Sequence, residues 1–237
     1  MLENKASFFA TWSFLTTFPT PKQAENTAPQ LAMLPLVGLG LGFIFYVVSW
    51  LLSGFNPAVS GLLILLLWLA STGFLHLDGL ADLTDALAAS HGEKKRFLQV
   101  LKASDIGSFA VIALILVILA KLVLLSTLSF AETFAPLLLI PAWARLGAAW
   151  WASELPPLHD GLATWLLDAG EANTSAWFII LMLLSLLFAP ILLFAPLILW
   201  GWKVFLERKV QGMNGDCLGA GIEICEVLLL ILCCLIR

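Results

Sequence analysis

Apolar runs of about membrane-crossing length recur along most of this chain, and they fix its solvent before any motif is considered. The runs cover residues 31–52, 58–75, 106–128, 135–151, 176–202 and 218–236. Each approaches or exceeds the roughly 20 residues that a helix needs to cross a bilayer core. Lipid offers no partner to backbone N–H and C=O groups, so runs of this kind predict helices, which satisfy both internally. With 61% hydrophobic residues, 12% charged residues and a mean hydropathy of +0.99 over 237 residues, the composition excludes an ordinary soluble domain. The expectation is an all-α, polytopic membrane helical bundle of about six to seven transmembrane helices, forming a single integral-membrane domain over residues 1–237.

The flanks refine this picture. An apolar, aromatic stretch from Phe8 to Phe18 ends at Pro19 and Pro21. It lacks the basic start and small-residue cleavage site of a signal peptide, and reads as an N-terminal interfacial helix with Trp12 at headgroup level. Lys94, Lys95, Arg96 and Lys102 follow the second run, and Lys203, Arg208 and Lys209 precede the last. Positive residues mark cytoplasmic loops, so both loops are expected on that side, with an even number of crossings between them. That parity favours splitting residues 176–202, which carry Pro190 and Pro196, into two crossings. A bacterial inner membrane with a cytoplasm-facing site is the expected location.

Twelve Lys and Arg against sixteen Asp and Glu give a net charge of −4, which recommends no nucleic-acid partner. The four cysteines, Cys217, Cys225, Cys233 and Cys234, lack zinc-like spacing and read as packing residues. The sequence leaves a homo-oligomer open.

Charges beside membrane segments carry the chemical information. In His76-Leu77-Asp78-Gly79-Leu80-Ala81-Asp82-Leu83-Thr84-Asp85, a helix places Asp78, Asp82 and Asp85 within about 60° of arc. Three carboxylates so close repel one another unless a cation sits among them. A hard divalent ion such as Mg²⁺, which takes one or two carboxylates plus phosphate oxygens, suits the cluster. The bland alternative is a solvated helix end, but Ser71, Thr72, Gly73 and Gly79 leave room for a ligand. His76 reads equally as a catalytic donor or as a histidine bonded within the structure.

A second constellation runs from Asn214 and Gly215 to Glu226. Helical spacing puts Asp216, Gly219, Glu223 and Glu226 within about 80° of arc, on a helix that is otherwise apolar. Intramembrane carboxylates are functional by default, with small-residue helix packing as the rival account. Arg145 lies within an apolar run free of other charge, and needs either a phosphate or one of these carboxylates as partner. Lys121 reads as a residue that snorkels to the interface. Lys102 and Ser104, in the basic loop, suit a diphosphate-bearing substrate.

These residues resemble the cobalamin synthase family, the adenosylcobinamide-GDP ribazoletransferases. The resemblance rests on Phe14-Leu15-Thr16-Thr17-Phe18-Pro19, Leu34-Pro35-Leu36-Val37-Gly38 and, most specifically, Gly73-Phe74-Leu75-His76-Leu77-Asp78-Gly79-Leu80-Ala81-Asp82. Gly215-Asp216, Leu218-Gly219-Ala220, Glu223 and Glu226 complete it, and Arg145 falls where the family has an intramembrane arginine. The chain departs from the family pattern at Ala103, Asp105, Pro157 to Ala163 and Cys217.

The resemblance implies transfer of the adenosylcobinamide phosphoryl moiety from adenosylcobinamide-GDP to α-ribazole or its 5'-phosphate. GMP leaves, and adenosylcobalamin or its phosphate forms, the final nucleotide-loop assembly step of cobalamin biosynthesis. It implies Mg²⁺ held by Asp78, Asp82, Asp85, Asp216 and Glu226. Asp82, His76, Glu223 and Arg145 become catalytic candidates, and Lys102, Ser104, Arg145, Gly215 and Asn214 substrate contacts. Two rivals remain at this point. A CDP-alcohol-type membrane phosphotransferase also uses clustered aspartates, although its motif has Arg where Asp82 follows Ala81. An ion-coupled secondary transporter would use carboxylates at broken helices for a cation.

Overall fold

The computed structural model describes residues 2–21, 27–103, 105–128, 135–159 and 173–235. Ten α-helices lie among them: α1 Leu2–Leu15, α2 Leu34–Leu51, α3 Pro57–Ser71, α4 Leu75–Ser90, α5 Lys94–Leu101, α6 Ser108–Leu128, α7 Ala135–Glu154, α8 Thr174–Phe188, α9 Ala195–Phe205 and α10 Gly215–Leu235. A 3-10 turn, Leu31–Met33, leads into α2. The only β-pairing among the described residues is an isolated bridge between Pro157 and Met213.

Local chemistry sets the helix ends. Pro57 starts α3, its missing N–H being one that a first turn leaves free, and the Asn56 side chain accepts from Ala58 N at 2.9 Å. Between α3 and α4 the chain turns by 83°. Gly73 and Phe74 make that corner with φ of +58° and +62°, a left-handed pair that only the glycine adopts without strain. Thr17 fastens the end of α1 to the same corner, its N–H donating to Ser71 O and its hydroxyl to Ala70 O, both at 2.8 Å.

Four segments are long and apolar enough to cross a membrane: Leu31–Leu51, Ser108–Leu128, Pro190–Val210 and Gly215–Leu235. The bent pair α3 and α4 passes the same test only when taken together, as a broken span or a re-entrant loop. The lipid-facing character is plain on α6, where Ile112, Ile115, Leu116, Leu119 and Val123 are exposed. Besides these, α7 is an Ala- and Trp-rich helix buried by its neighbours along most of its length, and α8 is an apolar helix of 15 residues, so the expected number of six to seven is approximate. The 176–202 stretch is split at Ala189, whose φ of −153° and ψ of 73° end α8 before the 3-10 segment Pro190–Phe194.

Small residues let the core helices touch. A methyl added at Gly38 of α2 would lie 2.5 Å from Ala142 Cα of α7, and one at Gly42 would strike Leu138 O. This Gly-xxx-Gly spacing turns one face of α2 onto α7, the mode by which membrane helices pack without a hydrophobic driving force. On the other face, Gly40 receives the Trp12 ring of α1. The two basic segments meet at one end of the bundle, with Lys94 Nζ 3.5 Å from Gln211 Oε1. Lys94 and Lys209 line a common pocket there.

Candidate active site

The acidic face of α4 meets the N-terminal turn of α10 where both helices lack side chains. A methyl at Gly79 would lie 2.9 Å from Asp216 Cα, and one at Gly219 would lie 3.3 Å from His76 Cα. This backbone-on-backbone crossing gathers Asp78, Asp82 and Asp216, which are 138 positions apart at the extremes. On α4, Asp78 and Asp85 flank Asp82, and Asp216 of α10 stands within electrostatic reach of it.

Asp216 is held in place from its own helix end. Asn214 Nδ2 donates to Asp216 Oδ2 at 2.6 Å, while Asn214 Oδ1 accepts from Cys217 N at 3.0 Å as the N-cap of α10. Backbone bonds from Leu158 N to Met213 O and from Met213 N to Pro156 O, both 2.9 Å, fix the approach to this cap. Asn214 thus orients an acid, and Gly215 lines the pocket beside it.

Asp85 turns elsewhere. Its Oδ2 accepts from Gly107 N at 2.5 Å and its Oδ1 from Ala110 N at 2.9 Å, so it caps α6 from a neighbouring helix. Helical spacing correctly puts Asp85 on the face of Asp78 and Asp82, but it cannot show that another helix end takes both oxygens. Among the described residues no three His, Cys, Asp or Glu groups stand close enough to hold a metal by themselves. The donor chemistry still fits Mg²⁺, which binds through one or two carboxylates and completes its shell with water and phosphate.

Glu223 and Glu226 belong to a different cluster, deeper along α10. Lys121 Nζ donates to Glu223 Oε2 at 2.6 Å and to Glu226 Oε2 at 2.7 Å. Arg145 Nη1 donates to Glu226 Oε1 at 2.7 Å and to Pro141 O at 3.1 Å. Two cations and two anions balance, which is how charges persist out of contact with water. Of the two partners expected for Arg145, the carboxylate is the one in place. Lys121 does not snorkel: it is fully buried, with its ammonium 5.1 Å from the Trp68 ring centroid. The available signal was that it is the only charged residue of α6, seven residues short of that helix's end.

His76 lies between the two clusters. It is 3% exposed, within electrostatic reach of Arg145, Glu226 and Lys121, and neither ring nitrogen has a hydrogen-bond partner. It lines a pocket of about 100 Å³ with Asp78, Gly215 and Asp216 on one side and Phe14, Leu15, Leu31 and Leu34 on another. A wider groove of about 450 Å³ flanks Asp85, with Arg96 in its wall. The sequence marked Arg96 only as part of a basic loop. Lys102 is exposed at the end of α5, and Ser104 falls outside the described residues.

The chain matches the family model described as cobalamin-5-phosphate synthase over residues 7–234. It is 45% identical to the adenosylcobinamide-GDP ribazoletransferase of Laribacter hongkongensis over 92% of each chain. It is 38% identical to that of Novosphingobium aromaticivorans over 94% of each chain. Identity to that of Thiobacillus denitrificans is 40%, over 92% of this chain and 91% of the relative. No solved structure matches.

Proposed function

The chain belongs to the cobalamin-5-phosphate synthase family, and on that premise we propose that it is an adenosylcobinamide-GDP ribazoletransferase acting at the α4–α10 crossing. A ribosyl hydroxyl of α-ribazole, or of its 5'-phosphate, attacks the phosphorus on the cobinamide side of the diphosphate. The bond to GMP breaks, GMP leaves with the electron pair, and the hydroxyl proton passes to a carboxylate. The observation that carries this reading is the meeting of Asp78, Asp82 and Asp216 from two helices beside a pocket.

Phosphoryl transfer asks a protein chiefly for positioning and charge neutralisation. Asp78 and Asp82 would hold Mg²⁺, which when bound offsets charge on the diphosphate oxygens. Asp216 is suited to take the proton: Asn214 fixes its Oδ2 and leaves Oδ1 for the substrate. Arg96, in the neighbouring groove, offers a guanidinium to the guanylate portion of the donor. The buried quartet of Lys121, Arg145, Glu223 and Glu226 locks α6, α7 and α10 so that the crossing keeps its geometry.

The meeting of both basic segments at one end of the bundle supports a cytoplasmic face for the site in a bacterial inner membrane. Water-soluble substrates suit that side. The test is GMP release by the protein in lipid nanodiscs supplied with adenosylcobinamide-GDP and α-ribazole. Release should require both substrates and stop with EDTA. Absence of release would overturn the transferase reading in favour of transport, and full release in EDTA would remove the metal.

A further inference from the structure

We infer that the pocket between α1, α2, α4, α7 and α10 seats the base of the nucleoside acceptor, an apolar fused-ring heterocycle with a single free ring nitrogen. This rests on the transferase reading above and assigns one of its two substrates to a place. Phe14, Leu15, Leu31, Leu34, Leu218 and Ile222 give an almost wholly apolar lining. Leu31, Leu34 and Ile222 are buried by the fold itself, so the surface is preformed.

The polar residues of the pocket are few and differ in kind. Asp78 and Asp216 belong to the reacting carboxylates, whereas His76 contributes an imidazole with two unpartnered nitrogens. A buried polar atom without a partner is costly, so an orphaned imidazole facing a cavity is a place prepared for a ligand. A neutral imidazole has one N–H to give. A benzimidazole-type base, glycosylated at one nitrogen, has one ring acceptor left to receive it.

Alternatives fit worse on the same grounds. A purine carries exocyclic donors or acceptors that these leucines could not satisfy. The corrinoid is a macrocycle far larger than about 100 Å³, and the guanosine diphosphate is polyanionic and would meet Asp78 and Asp216 without compensation. Seating the base here directs its ribose toward the two aspartates, where a hydroxyl has an acceptor for its proton. It also accounts for the fastening of α1 to the α3–α4 corner through Thr17, since that contact brings Phe14 and Leu15 to the pocket.

The test compares acceptor with donor. Ala148 lies in the same pocket, and Ala148→Leu fills it. We expect KM for α-ribazole to rise at least tenfold while KM for adenosylcobinamide-GDP stays within twofold. A rise confined to the donor would overturn the assignment, as would unchanged KM values for both. Should Ala148→Leu fail to fold, equilibrium binding to the unaltered protein in nanodiscs decides. α-Ribazole should bind without Mg²⁺ and at least tenfold tighter than an α-linked purine riboside. Equal affinities, or displacement of α-ribazole by short-chain lipid alone, would overturn it. GMP release by the unaltered protein keeps the two readings apart: its absence sinks the transferase itself, whereas normal release with either contrary result sinks only the pocket assignment.

Discussion

Gly79 and Asp216 touch through their backbones, so closely that a methyl on Gly79 would lie 2.9 Å from both Cα and O of Asp216. No flexible side chain stands between them to give way. The separation of the aspartates on α4 from the acid on α10 is therefore set by the absence of one carbon atom.

Gly79→Ala should push the two helices apart by a few tenths of an ångström. Overpacking of this kind costs about 1–3 kcal/mol, partly offset by the better helix propensity of alanine, near 1 kcal/mol. The expected outcome is a small fall in melting temperature with at least a tenfold loss of GMP release, measured on the same detergent-purified sample. Unaltered turnover would mean that this spacing does not matter to the reaction.

Asp82→Asn keeps size and hydrogen bonding but removes a charge. It should abolish Mg²⁺-dependent GMP release while leaving a folded, membrane-inserted protein. Asp85→Asn should behave differently, because Asp85 caps α6 through Gly107 and Ala110. Asparagine keeps one acceptor oxygen and loses the other, leaving one of these two N–H groups without its partner at a cost of about 1 kcal/mol, so thermal stability should fall while the Mg²⁺ concentration for half-maximal rate moves less than threefold. Identical behaviour of the two variants would contradict this division of roles.

Lys121→Met leaves Glu223 and Glu226 with Arg145 alone. Breaking a buried ion pair by removing one partner costs about 3–5 kcal/mol, so the variant should be poorly folded in thermal unfolding assays. Adding Glu223→Gln removes the surplus anion and should recover most of the loss. Arg145→Lys keeps the charge but replaces the longer guanidinium, whose Nη1 donates to both Glu226 and Pro141 O, with a shorter ammonium. A marked fall in activity without loss of insertion is expected.

Cysteines placed at Lys95 and Lys209 should label from the same side of the membrane with an impermeant reagent. The motivating contact is that of Lys94 with Gln211, which joins the two segments in space. Labelling from opposite sides would break the shared-site arrangement.

The sequence disclosed its helices because lipid leaves an apolar run little else to form. The family followed from the motif around Asp78 and Asp82 together with the acids of the last helix. Periodicity, however, gives an angle about one axis and says nothing of what stands opposite. That is why Asp85, on the right face, proves to be the cap of α6, and why Glu226, on the face of Asp216, proves to be the partner of Arg145. Lys121 was misread for a related reason: snorkelling was considered from its own helix alone, whereas two glutamates from α10 reach it in the interior. Hydropathy likewise marked α7 as apolar without showing that its neighbours bury it along most of its length.

The buried quartet also constrains the order in which the protein can be made. Lys121 and Arg145 leave the ribosome well before the glutamates that neutralise them, which lie on the last helix described. Until that helix is inserted, α6 and α7 each carry a lone cation that a membrane interior disfavours. The bundle therefore closes late and as a unit. A chain cut short before Glu223 should be held at the insertion machinery or degraded, rather than accumulate as a stable partial bundle.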